Sequence, residues 1–147
     1  MIEVIRKSKN LLLKQIKENN IDFQIDITET KLVYGVNTEF EQVVLNLINN
    51  SIDAFNDRKI ENRIIKIGAT SNQKKTILTF EDNAGGIDNS NIDDIFDPYY
   101  TTKETGTGTG LYVVKLVVKS SFKGELKVED SEIGLKYTIT LPTTEML

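Results

Sequence analysis

The sequence predicts one α/β domain built as a two-layer sandwich: a mixed, mostly antiparallel sheet of about five strands with three helices packed on one face. Three observations carry that expectation. Short segments alternate apolar and polar residues at period two, longer segments repeat apolar residues at helical spacing, and the two kinds are interspersed with no internal repeat. At 147 residues the chain fits a single domain, 1–147, and can bury a sizeable core.

Taken in order, Ile2 to Glu18 reads as a helix, with Ile5, Leu12 and Ile16 on one stripe and Asn19-Asn20 as its stop. Ile21 to Ile27 (IDFQIDI) is expected to be a strand with one buried face. Lys31 to Val36 gives a short second strand with a bend at Gly35. Thr38-Glu-Phe-Glu41 has the capping-box form, so a helix should run from there to about Phe55. On that helix Phe40, Val44, Leu47, Ser51 and Phe55 share one side, and Asn46, Asn50 and Asp53 share the opposite side. Arg63 to Ser71 and Thr76 to Asp82 should form an antiparallel hairpin across Asn72-Gln-Lys-Lys75. A short helical turn is expected at Ile92 to Phe96, before Pro98. The third helix should run from Leu111 to about Ser121. Strands Glu125 to Glu129 and Leu135 to Leu141 follow, with Leu126, Val128, Tyr137, Ile139 and Leu141 inward. Pro142 is expected to close the structured part, with a frayed tail from Thr143.

Composition removes several function classes. Hydrophobic content of 39% and charged content of 27% are ordinary for a globular protein. No apolar run approaches a membrane span and no charged-then-apolar leader opens the sequence, so a cytoplasmic domain without membrane contact is expected. The absence of cysteine and histidine excludes disulfides, Ser-His-Asp and Cys-His catalysis, and thiolate or imidazole metal sites. A net charge of −4 argues against nucleic acid as a partner. Nothing reads as a coiled-coil seam, so the isolated domain is expected to be monomeric.

Three stretches remain as candidates for chemistry. Gly106-Thr-Gly-Thr-Gly110 runs into an apolar helix, where free N–H groups and the helix dipole favour an anion such as phosphate; a flexible Gly/Thr loop would read the same way. The amide-and-carboxylate face of Asn46, Asn50 and Asp53 can converge on a ligand or hard cation, or simply be solvated. Asp82-Asn-Ala-Gly-Gly-Ile87 places a carboxylate at a strand end before a glycine pair, which also describes an ordinary Asp/Gly turn.

In order and spacing these stretches resemble the catalytic and ATP-binding domain of bacterial sensor histidine kinases, in the superfamily shared with gyrase, chaperone and mismatch-repair ATPases. Glu41 to Phe55 (EQVVLNLINNSIDAF) is similar to the family's N box, Asp82 to Ile87 to its first glycine box, Phe96 to Lys103 (FDPYYTTK) to its F box, and Gly106 to Leu111 (GTGTGL) to its second glycine box. Ala84, Thr109, Tyr99 and Tyr100 depart from the residues usual there. The resemblance covers essentially the whole chain and implies the Bergerat type of ATP-binding sandwich.

It further implies that Asn50 ligates Mg²⁺ bridging the phosphates of ATP, with Asn46 one turn earlier in support. Asp82 would accept a hydrogen bond from the adenine amino group, and Gly86 would leave room for the base. Lys103 and the backbone at Gly106, Gly108 and Gly110 would hold the phosphates under a lid. Asp53, Ile87, Thr101, Thr102, Thr107, Thr109 and Leu111 complete the implied nucleotide set. Asn46, Asn50 and Lys103 are the implied catalytic residues. In hydrolysing relatives a glutamate occupies the position of Asn46; an amide cannot act as a base, so the implied acceptor is a protein and not water. With no histidine here, that acceptor is expected on a separate dimerisation and phosphotransfer domain encoded upstream of Met1, with a response regulator as the indirect partner. An ATP-sensing regulatory module and a hydrolysing ATPase are the alternatives.

Overall fold

Alternation of apolar residues builds the sheet, and the helices supply its cover. The computed structural model describes residues 1–27, 33, 35–86 and 110–144. Its elements are α1 (Ile2–Leu11), α2 (Leu13–Glu18), β1 (Ile21–Ile27), α3 (Asn37–Asp57), β2 (Arg63–Ser71), β3 (Lys75–Asp82), α4 (Gly110–Leu116), a π-helical turn (Val117–Ser121), β4 (Glu125–Asp130) and β5 (Leu135–Pro142). The five strands lie in the order β1-β2-β3-β5-β4. β1 runs parallel to β2, with α3 in the crossover, and the other pairs are antiparallel.

Register makes one face of the sheet apolar. Ile67, Phe80 and Tyr137 align across β2, β3 and β5, as do Ala69, Leu78 and Ile139, and all join one core with Val43, Leu47 and Ile48 of α3. The expected mixed, mostly antiparallel two-layer sandwich is the observed fold. β1 and the β2–β3 hairpin also match expectation, the hairpin turn being closed by Asn72 Oδ1, which accepts from the N–H groups of Lys74 (2.8 Å) and Lys75 (2.9 Å).

The first helix is broken at Leu12, which takes φ −104° and ψ 12°. The break gives each half its own packing direction: α1 turns Val4, Ile5 and Ser8 toward α3, while α2 packs on β1 and buries Ile16. Asn20, at φ 54°, ends the helical run as expected. The capping box at Thr38 is not formed. α3 begins at Asn37 with Val36 as its cap residue and no side-chain cap bond, and Glu41 instead pairs with Lys7 of α1 at 3.2 Å.

The third helix also differs. It is α-helical only to Leu116 and then widens, with Phe122 N–H bonded to Val117 O at 3.2 Å. The wider turn buries Val117 and Val118 and sets Phe122 edge-on against Phe40, with ring centroids 5.9 Å apart. Phe122 also occupies the space a side chain at Gly35 (φ +147°) would need.

Pro142 does not close the ordered chain. Thr143 is buried, its N–H donates to Lys74 O at 3.0 Å, and it bridges to Val33. The rest of the expected 31–36 strand, the turn at 92–96 and the tail at 145–147 lie outside the described residues. Among the described residues no helix is long and apolar enough to cross a membrane.

Candidate functional site

β3 is the middle strand of the sheet, and Asp82 is its last residue. Alternation places the Asp82 side chain on the helix-facing side with Thr76, Leu78 and Phe80, in register with Ile65 of β2 and Leu135 of β5. A carboxylate thus stands where the pattern calls for an apolar residue, only 4% exposed. Two donors meet it: Ser51 Oγ of α3 donates to Oδ2 at 2.5 Å, and Ala84 N–H to Oδ1 at 3.1 Å. Burial raises its pKa above the ordinary carboxylate value and outweighs the opposing pull of these hydrogen bonds and the Arg58 charge. The result is a buried acceptor already oriented by the protein.

The chain beyond β3 is held by side chains on both sides. Asn83 caps the start of β2, its Oδ1 accepting from Ile64 N–H at 2.7 Å while its amide nitrogen donates to Asn62 O. Arg58, at the C-cap of α3, donates from Nη1 to the carbonyls of Ala84 (2.8 Å) and Gly86 (3.1 Å). Gly85 has φ +95°, and a Cβ there would lie 2.5 Å from that Nη1. At Gly86 a Cβ would lie against the Asp130 carboxylate, so the glycine lets that side chain approach the backbone.

α3 carries a second polar region beside Ser51, on residues 46, 50 and 53. Asn46, Asn50 and Asp53 are half-buried, while Asn49 is exposed, so the face they share is partly covered and is not a plain solvated surface. At Asn46 and Asn50 the start of α4 lies against it. Asn46 Nδ2 donates to Gly110 O at 3.3 Å, and the Asn50 amide lies 3.9–4.0 Å from where a Gly110 Cβ would stand. Leu111 packs at the edge of the core.

The structure therefore brings Asn46, Asn50, Gly110 and Asp82 to one helix: Asn50 faces Gly110, and its neighbour Ser51 bonds Asp82. Ile87, Thr101, Thr102, Lys103, Gly106, Thr107, Gly108 and Thr109 lie outside the described residues. Ser51, inside the N-box stretch, and Arg58, outside all four stretches, are neighbours of Asp82 and its loop that the expected site did not include. Ser51 could have been found, since a hydroxyl on the apolar stripe of a helix needs a buried partner; Arg58 carries no comparable signal.

Comparison with known proteins identifies the family and the fold. Residues 35–145 match the family described as histidine kinase-, DNA gyrase B-, and HSP90-like ATPase. The chain is 30% identical over 145 residues to sporulation kinase E of Bacillus subtilis, covering 97% of this chain and 19% of that protein. It is 32% identical over 142 residues to the sensor histidine kinase ZraS of Salmonella typhi, covering 95% of this chain and 30% of that protein. It thus spans a fifth to a third of the length of these relatives. Among solved structures, the nucleotide-free catalytic domain of the histidine kinase ThkA superposes with a TM-score of 0.87 at 29% identity, over 99% of this chain and 93% of that one. A structure of ThkA in complex with the response regulator protein TrrA gives 0.81 at 27% identity, over 99% of this chain and 41% of that one. The profile match over most of the chain, with a fold shared nearly end to end, makes this chain a member of the histidine kinase-, DNA gyrase B- and HSP90-like ATPase family.

Proposed function

We propose that this domain binds Mg-ATP and transfers the γ-phosphoryl group to a histidine on a separate dimerisation and phosphotransfer domain. The observation that carries the reading is the pair of successive residues on α3: Asn50 faces the start of α4, and Ser51 holds the buried Asp82. One rigid helix thereby fixes the distance between a base-reading carboxylate and a phosphate-side amide.

Each end has a stated task. Asp82 has one protein donor on each oxygen and so retains acceptor capacity for the adenine amino group. A guanine carbonyl in that place would set acceptor against acceptor, which favours ATP over GTP. Asn50 Oδ1 suits a hard cation, and among the described residues no cluster of three His, Cys, Asp or Glu offers an all-protein cage. Magnesium, when bound, supplies charge neutralisation on the phosphates; phosphate oxygens and water would complete its shell. Lys103 and the glycines at 106, 108 and 110 are proposed to hold the phosphates.

Asn46 supports a kinase over a hydrolase. Its amide donates to Gly110 O and cannot take a proton from water, so the phosphoryl group is kept for a protein acceptor. The relatives named as sensor and sporulation kinases, and the ThkA–TrrA complex, support a histidine acceptor and a response regulator as the downstream partner. The 147 residues contain no histidine, so the acceptor is supplied by another segment.

The test mixes the protein with Mg-ATP and a dimeric histidine-bearing domain and follows acid-labile phosphate. Phosphate on histidine is the expected result. Binding without transfer would replace the proposal with a nucleotide-sensing module, and steady phosphate release by the chain alone with a hydrolysing ATPase.

A further inference from the structure

We infer that Arg58 is a positioning residue for nucleobase recognition, fixing the backbone that orients Asp82. The inference rests on the proposed reading of Asp82 as the group that meets the base. It adds a residue outside the four motif stretches, at the exposed C-terminal end of α3.

The geometry runs in three links. A single guanidinium nitrogen, Nη1, donates to both carbonyls that flank Gly85, Ala84 O at 2.8 Å and Gly86 O at 3.1 Å. Nη1 carries two hydrogens, so each carbonyl can receive its own, and the donor's charge strengthens both bonds. Gly85 between them sits at φ +95°, with no space for a Cβ against Nη1. Next, Ala84, 1% exposed and clamped on its carbonyl side, presents its N–H to Asp82 Oδ1 at 3.1 Å. Finally, Ser51 takes Oδ2, so the carboxylate plane is set by a helix hydroxyl on one oxygen and the clamped loop on the other. Ser51 and Arg58 lie two turns apart on α3, and both tie the exit of β3 to that helix. Loss of Arg58 frees the Ala84 N–H to drift, and with it the direction of the remaining lone pairs on Asp82.

A lysine Nζ carries enough hydrogens for both carbonyls, but its flexible stem holds that nitrogen less firmly than the planar guanidinium holds Nη1, so lysine is a partial substitute. Arg58 is exposed, so its replacement opens no core cavity.

Affinities for ATP and GTP are measured on wild type, Arg58→Met, Arg58→Lys and Gly85→Ala, with melting temperature as the control for folding. Arg58→Met is expected to weaken ATP about five- to tenfold and GTP much less, with the melting temperature within a few degrees of wild type. Arg58→Lys should recover part of the ATP/GTP ratio, and Gly85→Ala, which strains the backbone between the two clamped carbonyls, should lower the ratio without replacing Arg58. An unchanged ratio in Arg58→Met and Gly85→Ala overturns the inference, whether both affinities fall together, as loss of a distant attractive charge would cause, or neither falls. A wild type that binds no ATP fails at an earlier point and removes the base-reading proposal as well.

Discussion

The two ends of the proposed nucleotide site are met by neighbouring residues of the same helix yet are held in different ways. At the base end Asp82 is 4% exposed, closes the central strand, and has hydrogen bonds of 2.5 and 3.1 Å to Ser51 and Ala84. At the phosphate end Asn46 and Asn50 are half-buried and meet α4 through a 3.3 Å bond to one backbone carbonyl. The base end is set by sheet register and core packing, so its acceptor is in place before any ligand arrives. The phosphate end is set by where one helix begins against another, at side chains that are half-buried. In phosphoryl transfer, where positioning carries most of the catalysis, both ends are proposed to act by placing the nucleotide.

The largest effect should come from breaking the phosphate end. Asn50→Ala should abolish magnesium-dependent tightening of ATP and slow phosphotransfer by about a hundredfold, the scale of losing one preorganised group at the reacting charge. Titrating ATP with and without magnesium checks it, and unchanged magnesium dependence removes Asn50 as the ligand.

Breaking the base end should cost less and should be selective. Asp82→Asn is expected to weaken ATP about tenfold while GTP changes little. Equal losses would mean that Asp82 does not read the base. The pH dependence sharpens the contrast. Because burial raises the folded pKa above 3.8, the unfolded chain ionises first as pH rises, so this group's contribution to stability falls through that window and stays low above it. ATP affinity should move the opposite way, falling on acidification, since the ionised form is the acceptor. Asp82→Asn should flatten both slopes; equilibrium unfolding and binding across that range decide it.

Ser51→Ala probes the same end more gently. It removes one donor from a buried carboxylate, raises the Asp82 pKa further, and should cost about 1 kcal/mol of stability and about threefold in ATP affinity. A denaturant midpoint equal to wild type would show that the hydroxyl carries no share of the holding.

The elements legible in the sequence were those whose periodicity has one explanation. IDFQIDI became β1 residue for residue because strict alternation fits only a half-buried strand, and the β2–β3 hairpin followed for the same reason. The misreadings share a different cause. The Leu12 break, the unused capping box and the π turn each arise because a residue serves a neighbouring element: Ile16 serves β1, Glu41 serves Lys7, and Phe122 serves Phe40 and Gly35. Thr143 stays ordered for the same kind of reason, through its bonds to the β2–β3 turn.

The site divides along the same line. Asn46, Asn50 and Ser51 were placed on their helix faces by sequence alone, since 100° per residue leaves no freedom once the segment is helical. Their partners were decided only by the tertiary fold: Asp82 stands 31 residues beyond Ser51, and Gly110 stands 64 beyond Asn46. Periodicity records which way a side chain points within its own element. Which element it meets depends on how the sheet orders its strands and how α4 lies across α3, and those are properties of the packed core.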